Sequence, residues 1–348
     1  MLNRNIRAAS AVMASVVLCA ALTGCAEDNL STGQSESQSV QSKIINTTMD
    51  AIPGGLIVRV NAEAASEAGP AVTKSGGVLV SGMAKMDKVF SELNASGFKR
   101  LFPDYDERTA AINRKYGLDQ WYVLSIPENK DLETAAMKVA ALDYVTGVQY
   151  NTAWVKASDG VSRKYVPTAA VKSAASEYFN DEMLASQWHY SNMGDISLGS
   201  TARSGADINV ADAWRLTGGN NGVIVAVLDE GVQWNHPDLE ANMWTNPDET
   251  AGNNTDDDDN GIVDDIHGAN FANAPTITGE ITWDNYGDSG HGTHVAGTVA
   301  AVSNNGQGVA GVAGGSGNGD GVRIMSLQVM KGTGGGSDAA TSAAIHYA

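Results

Sequence analysis

Two histidines lie three residues apart within residues 288–301, a stretch made mainly of Gly, Ala, Thr and Ser. Three interpretations compete: a metal-binding pair, a catalytic base with a companion, or two incidental histidines at the start of a tightly packed helix. Zinc-protease helices carry histidines at i and i+4 with a glutamate beside the first. His291 and His294 have neither that spacing nor a further His or Cys nearby, so the pattern disfavours a metal pair.

The position of His291 favours a catalytic base. Residues 292–302 predict a helix, which puts His291 in its first turn or at its cap. The positive end of the helix dipole disfavours a charged imidazolium there, and a neutral imidazole is what a general base requires. We therefore predict that His291 acts as a base and that His294 is a packed, hydrogen-bonded side chain.

An acidic residue follows the most apolar strand candidate. Residues 223–228 are a continuous apolar run, as expected of a strand buried on both faces of a parallel sheet, and the run stops at Asp229. Sheets of this class place ligands and catalytic groups at the carboxyl ends of their strands. Asp229 could instead cap the following turn. An aspartate that accepts a hydrogen bond from His291 would fix the tautomer of the ring, so we expect the two side chains to meet.

An acidic loop suggests a cation site. Five oxygen-bearing side chains and Gly261 follow the pattern of an EF-hand-type loop, which suits Ca²⁺ because this hard cation takes oxygen ligands; the side chains are Asp256, Asp258, Asn260, Asp264 and Asp265. A solvated acidic loop is the alternative. We expect a structural calcium ion here.

The rest of the chain divides into a small and a larger folded part. Strand-like runs at 56–60, 121–126 and 147–150, with helical spacing in 132–142, predict a small α+β, split βαβ module of the ferredoxin-like type. We assign an export signal to residues 1–25, a flexible tether to 26–50, this module to 51–155, an exposed linker open to cleavage to 156–185, and a second domain to 186–348.

The N-terminus and the charge limit the partners. Residues 8–22 are apolar after two arginines, and the run ends in Leu-Thr-Gly-Cys, which resembles a bacterial lipoprotein signal in which Cys25 carries the lipid. We therefore expect an exported, membrane-anchored protein at the outer membrane or cell surface. A formal net charge of −18 argues against nucleic acid as a partner.

Two sequence blocks carry a family resemblance. Val-Ala-Val-Leu-Asp-Glu-Gly-Val at 225–232 with His-Pro-Asp-Leu at 236–239, and then His-Gly-Thr-His-Val-Ala-Gly-Thr at 291–298, resemble the Asp and His blocks of subtilisin-like serine peptidases. Glu230 departs from the usual Ser or Thr after the aspartate. The resemblance implies an α/β fold, a doubly wound parallel sheet, in which Asp229 orients His291. Small residues in the helix would let it pack close to the sheet.

The resemblance also implies further sites. The module resembles a propeptide, which assists folding and inhibits the enzyme in cis until it is removed. Protein or peptide substrates would add as a strand along a glycine segment: Gly334, Gly335 and Gly336. A second calcium ion would be shared by Gln187, Asp238 and Asn304.

The family's nucleophile lies in a Gly-Thr-Ser-Met-Ala block, which these 348 residues do not contain. The resemblance therefore covers the front part of a catalytic domain, and we expect these residues alone to be inactive, with an unpaired sheet edge. An in-frame block encoded after Ala348 would support a serine endopeptidase. The alternative is a non-enzymatic lipid-anchored protein whose propeptide-like module inhibits a peptidase.

Overall fold

A computed structural model describes residues 39–69, 72–75, 78–155, 178–194, 203–284, 287–332 and 335–348. In these ranges the strands are β1 (Ala51–Val60), β2 (Thr73–Ser75), β3 (Val78–Val80), β4 (Gly97–Arg100), β5 (Trp121–Ser125), β6 (Val145–Trp154), β7 (Ile224–Asp229), β8 (Gly268–Asn273), β9 (Thr276–Thr278), β10 (Arg323–Gln328) and β11 (Gly336–Ser337). The helices are α1 (Ala62–Ala68), α2 (Ala84–Leu93), α3 (Glu107–Tyr116), α4 (Leu132–Ala140), α5 (Ala211–Trp214), α6 (His291–Ala300) and α7 (Asp338–Tyr347).

Several predictions fall on residues that are not described. The predicted export signal with Cys25, the first half of the tether, most of the linker and Gly334 lie outside the described residues. Among the described residues, no helix has the length and apolar character needed to cross a membrane.

The N-terminal module, by which we mean the described residues of 39–155, is built on an antiparallel sheet. Its strands lie in the order β6-β1-β5-β4, and β1 pairs antiparallel with both β5 and β6. With α2 and α4 as the connecting helices, this is the ferredoxin-like split βαβ arrangement. The predicted α+β fold of the module is confirmed.

Alternating residues of this sheet enter two different cores. Leu56, Val58 and Leu124 belong to a buried cluster with residues of α2 and α4. Ile57 and Val123 point to the opposite face and share a cluster with residues of β8 and α7. The period of two along a strand therefore gives the module its own core and a second apolar face that packs on the rest of the chain.

The end of the predicted tether is part of the module. Ile44 forms a parallel bridge with Val148, and the side chain of Asn46 bonds both the N–H and the carbonyl of Tyr150. The prediction of a flexible segment to residue 50 was therefore wrong for this stretch. Val40 and Ile44 pack against the module core, and this burial outweighs the polar composition around them.

The second sheet belongs to the parallel-sheet region, by which we mean the described residues of 203–348. Its strand order is β7-β10-β8-β9; β10 runs parallel to β7 and to β8, and β9 is antiparallel to β8. The expected α/β architecture with a parallel sheet is confirmed. Gln328 of β10 stands opposite Asp229 of β7, which puts their carboxyl ends side by side.

Strand β7 is less buried than its sequence predicts. Val223 and Ile224 are 50% and 49% exposed, whereas Val227 is buried. Within the described residues β7 pairs only with β10, so its other edge and the start of the strand face outward. The prediction of burial on both faces was therefore wrong for the first half of the run.

Candidate active site

Asp229 and His291 meet at the carboxyl end of β7. The Nδ1 atom of His291 lies 2.8 Å from Oδ2 and 3.0 Å from Oδ1 of Asp229. The Asp229 side chain is only 7% exposed, and that of His291 is 45% exposed. A buried carboxylate thus holds one ring nitrogen, which leaves Nε2 on the open side, where a base would have to act.

Strand end and helix start bring the pair together. Asp229 is the last residue of β7, and its carbonyl accepts a hydrogen bond of 2.8 Å from the N–H of Val329 beyond β10. His291 is the first residue of α6, after Gly290 in a left-handed conformation with φ +73°. The predicted contact between the two side chains is present.

Steric crowding explains why a glycine follows His291. A Cβ added to Gly292 would lie 2.2 Å from the carbonyl oxygen of Gly231 and 3.1 Å from Cβ of Asp229. Ala296 and Ala300 are also buried on this helix. Gly297 has no such neighbour within 4 Å, so close approach explains the first turn and one face of α6, and does not explain every small residue.

His294 does not behave as expected. It lies exposed on α6, so the prediction of a packed histidine was wrong. In the described ranges, a metal-compatible group of three or more His, Cys, Asp or Glu side chains occurs at Glu249, Asp256 and Asp258 and not at the two histidines. Of the two histidines at i and i+3, His291 thus contacts a buried carboxylate, whereas His294 is exposed on the helix.

Glu230 has a structural role that the sequence did not indicate. It is fully buried, and its Oε1 atom accepts hydrogen bonds from the backbone N–H groups of Ser289 and His291. In the sequence it was only a departure from the family pattern. Because Glu230 and the start of α6 are 61 residues apart, the sequence carried no further signal of this contact.

The expected substrate segment is already paired. Strand β11 adds antiparallel to β6, with Gly336 opposite Trp154 and Ser337 opposite Ala153. A Cβ on Gly335 would lie 2.0 Å from the carbonyl oxygen of Trp154, and one on Gly336 would lie 2.4 Å from Cζ2 of its indole. Glycine at both positions therefore lets an extended chain with an aromatic side chain lie directly on this segment.

Side chains of β6 also bind the start of α7. Asp338 accepts hydrogen bonds from the Thr152 hydroxyl and from Nε2 of Gln149. The N–H of Ala339 donates to Oδ1 of Asn151 over 3.1 Å. The module thus supplies acceptors and donors at a helix N-terminus that follows the glycine segment.

The acidic loop forms a tighter group than the spacing suggested. Side-chain oxygens of Glu249, Asp256 and Asp258 all lie within 4.8 Å of one another. Oε2 of Glu249 is buried without a hydrogen-bond partner, and burial, with the nearby Asp265 and Asp258 charges, raises the pKa of Glu249. Glu249 was missed because it lies outside the repeated Asp pattern.

The other predicted loop ligands make different contacts. Asp264, at φ +52°, accepts from the backbone N–H groups of Gly252 and Asn254, so the structure does not bring it into the group. Asp265 is fully buried and accepts from Nδ2 of Asn260. Asn260 also donates to Asp258 and thereby links the two aspartates.

The second predicted calcium set is close to an unpredicted aspartate. Asp238 accepts from Nδ2 of Asn305 and from the N–H of Val309. Burial raises the pKa of Asp238. It also raises the pKa of Asp181, an effect to which the negative charge of Asp238 adds. Asp181 Oδ1 is buried without a partner, and its Oδ2 accepts from the N–H of Asn304.

Gln187 has its amide engaged elsewhere in this area. Its Nε2 donates to the carbonyl of Ala310 and its Oε1 accepts from the N–H of the same residue, both over 2.9 Å. The side chain of Asn304 donates to the carbonyl of Ser316. The two carboxylates, Asp181 and Asp238, are therefore the anionic part of this predicted site.

Comparison with known proteins points to one family. Residues 220–348 match the model of the subtilase family, peptidase S8. Subtilisin-like protease 1 of Plasmodium vivax is 48% identical over 91 residues, which are 26% of this chain and 13% of that protein. An extracellular protease of Xanthomonas campestris pv. campestris is 35% identical over 162 residues, 45% of this chain and 23% of that protein. The chain thus spans less than a quarter of the length of these curated relatives.

A solved structure gives a wider but weaker match. Fervidolysin from Fervidobacterium pennivorans, described as a keratinolytic enzyme related to subtilisin, aligns with 85% of this chain and 34% of its own chain. The sequence identity is 19% and the TM-score is 0.44.

Proposed function

Since this chain belongs, through residues 220–348, to the subtilase family of serine peptidases, we propose that the product of its full coding sequence hydrolyses peptide bonds through an acyl-enzyme. His291 is the general base and Asp229 is the residue that orients it. The observation that carries this proposal is the contact of 2.8 Å between Nδ1 of His291 and the buried carboxylate of Asp229.

The pair supports base chemistry for a physical reason. Asp229 accepts from Nδ1, which fixes the tautomer with a free lone pair on Nε2, and its charge stabilises the imidazolium formed when the ring takes a proton. In the reaction, Nε2 takes the proton of the attacking serine hydroxyl and passes it to the leaving amine, and water then hydrolyses the acyl-enzyme.

The nucleophile is the part of this proposal that these 348 residues do not supply. We expect it in an in-frame Gly-Thr-Ser-Met-Ala-like block encoded after Ala348. Reading the coding sequence and assaying hydrolysis of a denatured protein by its full product tests the proposal. An authentic stop codon after Ala348, or a full product without serine-dependent hydrolysis, would contradict it. These residues alone should be inactive, because losing a triad nucleophile costs about a factor of 10⁶ in rate.

The N-terminal module is proposed as an inhibitor in cis. The pairing of Gly336 and Ser337 with Trp154 and Ala153 supports this, because a chain in that place excludes a substrate strand from the same segment. Trp154→Ala should weaken docking and bring the full product to activity sooner, whereas Val155→Ala, at an exposed side chain, is the matched control. Equal activation times for the two variants would count against inhibition by this segment.

We also propose structural calcium at two places outside the N-terminal module. Glu249, Asp256 and Asp258 would hold one ion, and Asn260 would orient Asp258. The buried, unpartnered Oε2 of Glu249 supports this, since such an oxygen is expensive unless a cation or donor reaches it. Asp181 and Asp238 would hold a second ion, supported by the unpartnered Oδ1 of Asp181. Calcium would act on stability, with no step in the reaction.

The lipoprotein-like signal in the sequence supports a proposal for the location of the protein. We propose export and anchoring through a lipid on Cys25, with protein or peptide substrates at the outer membrane or cell surface. Metabolic labelling with a fatty acid, compared between the natural protein and Cys25→Ser, measures this. Equal labelling of both would contradict the anchor.

A further inference from the structure

Glu230 touches both members of the Asp229–His291 pair, through different atoms. Its Oε1 accepts from the N–H of His291 over 2.7 Å and from the N–H and hydroxyl of Ser289 over 2.7 and 2.9 Å. Its own backbone N–H donates to Oδ1 of Asp229 over 2.7 Å. One fully buried residue thus donates a hydrogen bond to the carboxylate of Asp229 and accepts one from the backbone of His291.

The start of α6 needs such an acceptor. The first N–H groups of a helix have no intrahelical partner, and the N-cap residue Gly290 has no side chain to supply one. Glu230, distant in sequence, takes this role at His291. A carboxylate is favourable here because it complements the helix dipole and because hydrogen bonds to a charged acceptor are stronger than neutral ones.

The ring of His291 depends on this support. Its side chain is 45% exposed, against 7% for Asp229, so packing covers only part of it. The Asp229 carboxylate holds the ring at Nδ1, and Glu230 holds the backbone from which the ring projects. A Ser or Thr in place of Glu230 offers one oxygen on a shorter side chain, which cannot reach the three donors of Ser289 and His291.

We propose that Glu230 is a positioning residue that holds His291 against Asp229 through the backbone of the loop and first turn of α6. Its effect on catalysis rests on the proposed peptidase function, and its effect on the geometry does not. A displacement of about 1 Å at a reacting group can lower a rate by about 100-fold, so a residue that fixes the base in this way sets kcat more than KM.

Three substitutions separate the reach of the side chain from its charge. Glu230→Gln keeps the acceptor oxygen and loses the charge; Glu230→Asp keeps the charge and shortens the reach; Glu230→Ala loses both. Glu280→Ala removes a glutamate at an exposed position and is the control. The readout on the 348-residue chain is the proton NMR signal of Nδ1–H of His291, assigned by its loss in His291→Ala.

The proposal predicts that this signal persists in Glu230→Gln and Glu280→Ala and is lost, through exchange with water, in Glu230→Asp and Glu230→Ala. In the full coding-sequence product, the last two variants should lower kcat by about 10- to 100-fold with KM within about twofold, and Glu230→Gln should stay within about threefold of the natural protein.

Persistence of the signal and of kcat in Glu230→Asp would overturn the positioning role, as would loss of both in Glu230→Gln. If Glu230→Ala does not fold, the Gln and Asp variants still decide. Absence of peptidase activity in the natural full product would contradict the proposed function alone, because the NMR signal reports the geometry without turnover.

Discussion

The two sheets of this chain differ in how completely they are covered. In the N-terminal module, the sheet residues that face α2 and α4 are fully buried, as Leu56, Val58 and Leu124 show. In the parallel-sheet region, β7 begins with two half-exposed residues, Val223 and Ile224. The candidate active site lies in the less covered of the two regions, at the other end of the same strand β7.

This difference has a simple topological origin. The module closes its core with its own helices, and its other face packs on α7 and β8. Strand β7 has β10 on one side, and within the described residues its other edge has no strand. The module is therefore expected to keep its structure by itself, whereas the region with the Asp229–His291 pair is expected to depend on further contacts, such as those with the docked module.

The largest loss of stability is expected from a substitution in the core of the N-terminal module. Phe98 is buried and stacks on Tyr122 with ring centroids 4.4 Å apart. Phe98→Ala should lower the free energy of unfolding by about 3–5 kcal/mol. Ile224→Ala, at a half-exposed position, should cost about 1 kcal/mol. Urea unfolding of the chain followed by tyrosine and tryptophan fluorescence measures both.

A loss at Ile224 as large as that at Phe98 would break this comparison. It would mean that the edge of β7 is covered in solution, for example by a second copy of the chain. The dependence of the unfolding midpoint on protein concentration separates that case from a monomer.

Removal of calcium should act outside the N-terminal module only. At 100-fold excess of the ion over its dissociation constant, binding contributes about 2.7 kcal/mol, and EDTA should remove it. Hydrogen exchange should rise around Glu249, Asp256 and Asp258 and stay unchanged in the N-terminal module. Asp256→Asn should abolish the response at that loop, and Asp264→Asn, at a carboxylate that bonds backbone N–H groups, should retain it.

A uniform rise in hydrogen exchange across both regions after EDTA treatment would contradict the prediction that the N-terminal module is stable without calcium. No response to EDTA would remove the calcium proposal and leave the comparison of the two sheets intact.

The smallest effect should be a pH dependence where the two regions meet. His346 of α7 lies 2.7 Å, at Nε2, from Oδ1 of Asn113 in the module, and its Nδ1 is buried without a partner. Burial lowers the pKa of His346 below its ordinary value of 6.5, although the charge of Asp104 opposes this. The unfolded state then binds more protons than the folded state. The contribution of neutral His346 to the free energy of unfolding is therefore complete above about pH 6.5, and it is lost as the pH falls towards the pKa of His346 in the folded state.

His346→Gln should flatten this dependence, since glutamine does not titrate. The measurement is urea unfolding at pH 8 and pH 5.5 for the natural chain and for the variant. An unchanged pH dependence in His346→Gln would assign it to another group, of which His189, whose pKa burial also lowers, is the first to test.

Much of the site could be predicted from the sequence because its two halves carry local signals. The end of an apolar strand marks Asp229, and a run of small residues after a histidine marks the first turn of α6. Sheets of this class place catalytic groups at the carboxyl ends of their strands, so the contact was expected from these two local patterns. The α+β class of the module followed in the same way from three strand-like runs and one helical spacing, whereas β4 and α2 were not predicted.

What could not be predicted depends on residues that are distant in sequence. The pairing of β11 with β6 and the approach of Asp181 to Asp238 have no local signal. Asp264 fitted the spacing of a calcium ligand, but its left-handed backbone turns the carboxylate to the N–H groups of Gly252 and Asn254. In the sequence, Glu230 appeared only as a departure from the family pattern. Its role depends on the hydrogen-bond donors that it contacts in the folded chain.

The central claim is that Asp229 and His291 work as one catalytic pair, and the rate of peptide hydrolysis by the full coding-sequence product tests it most directly. Asp229→Asn should lower kcat by about 10⁴-fold, because an amide cannot hold the ring in the required tautomer, and His291→Ala should lower it by about 10⁶-fold. Folded variants that keep rates within about tenfold of the natural protein would contradict the assignment.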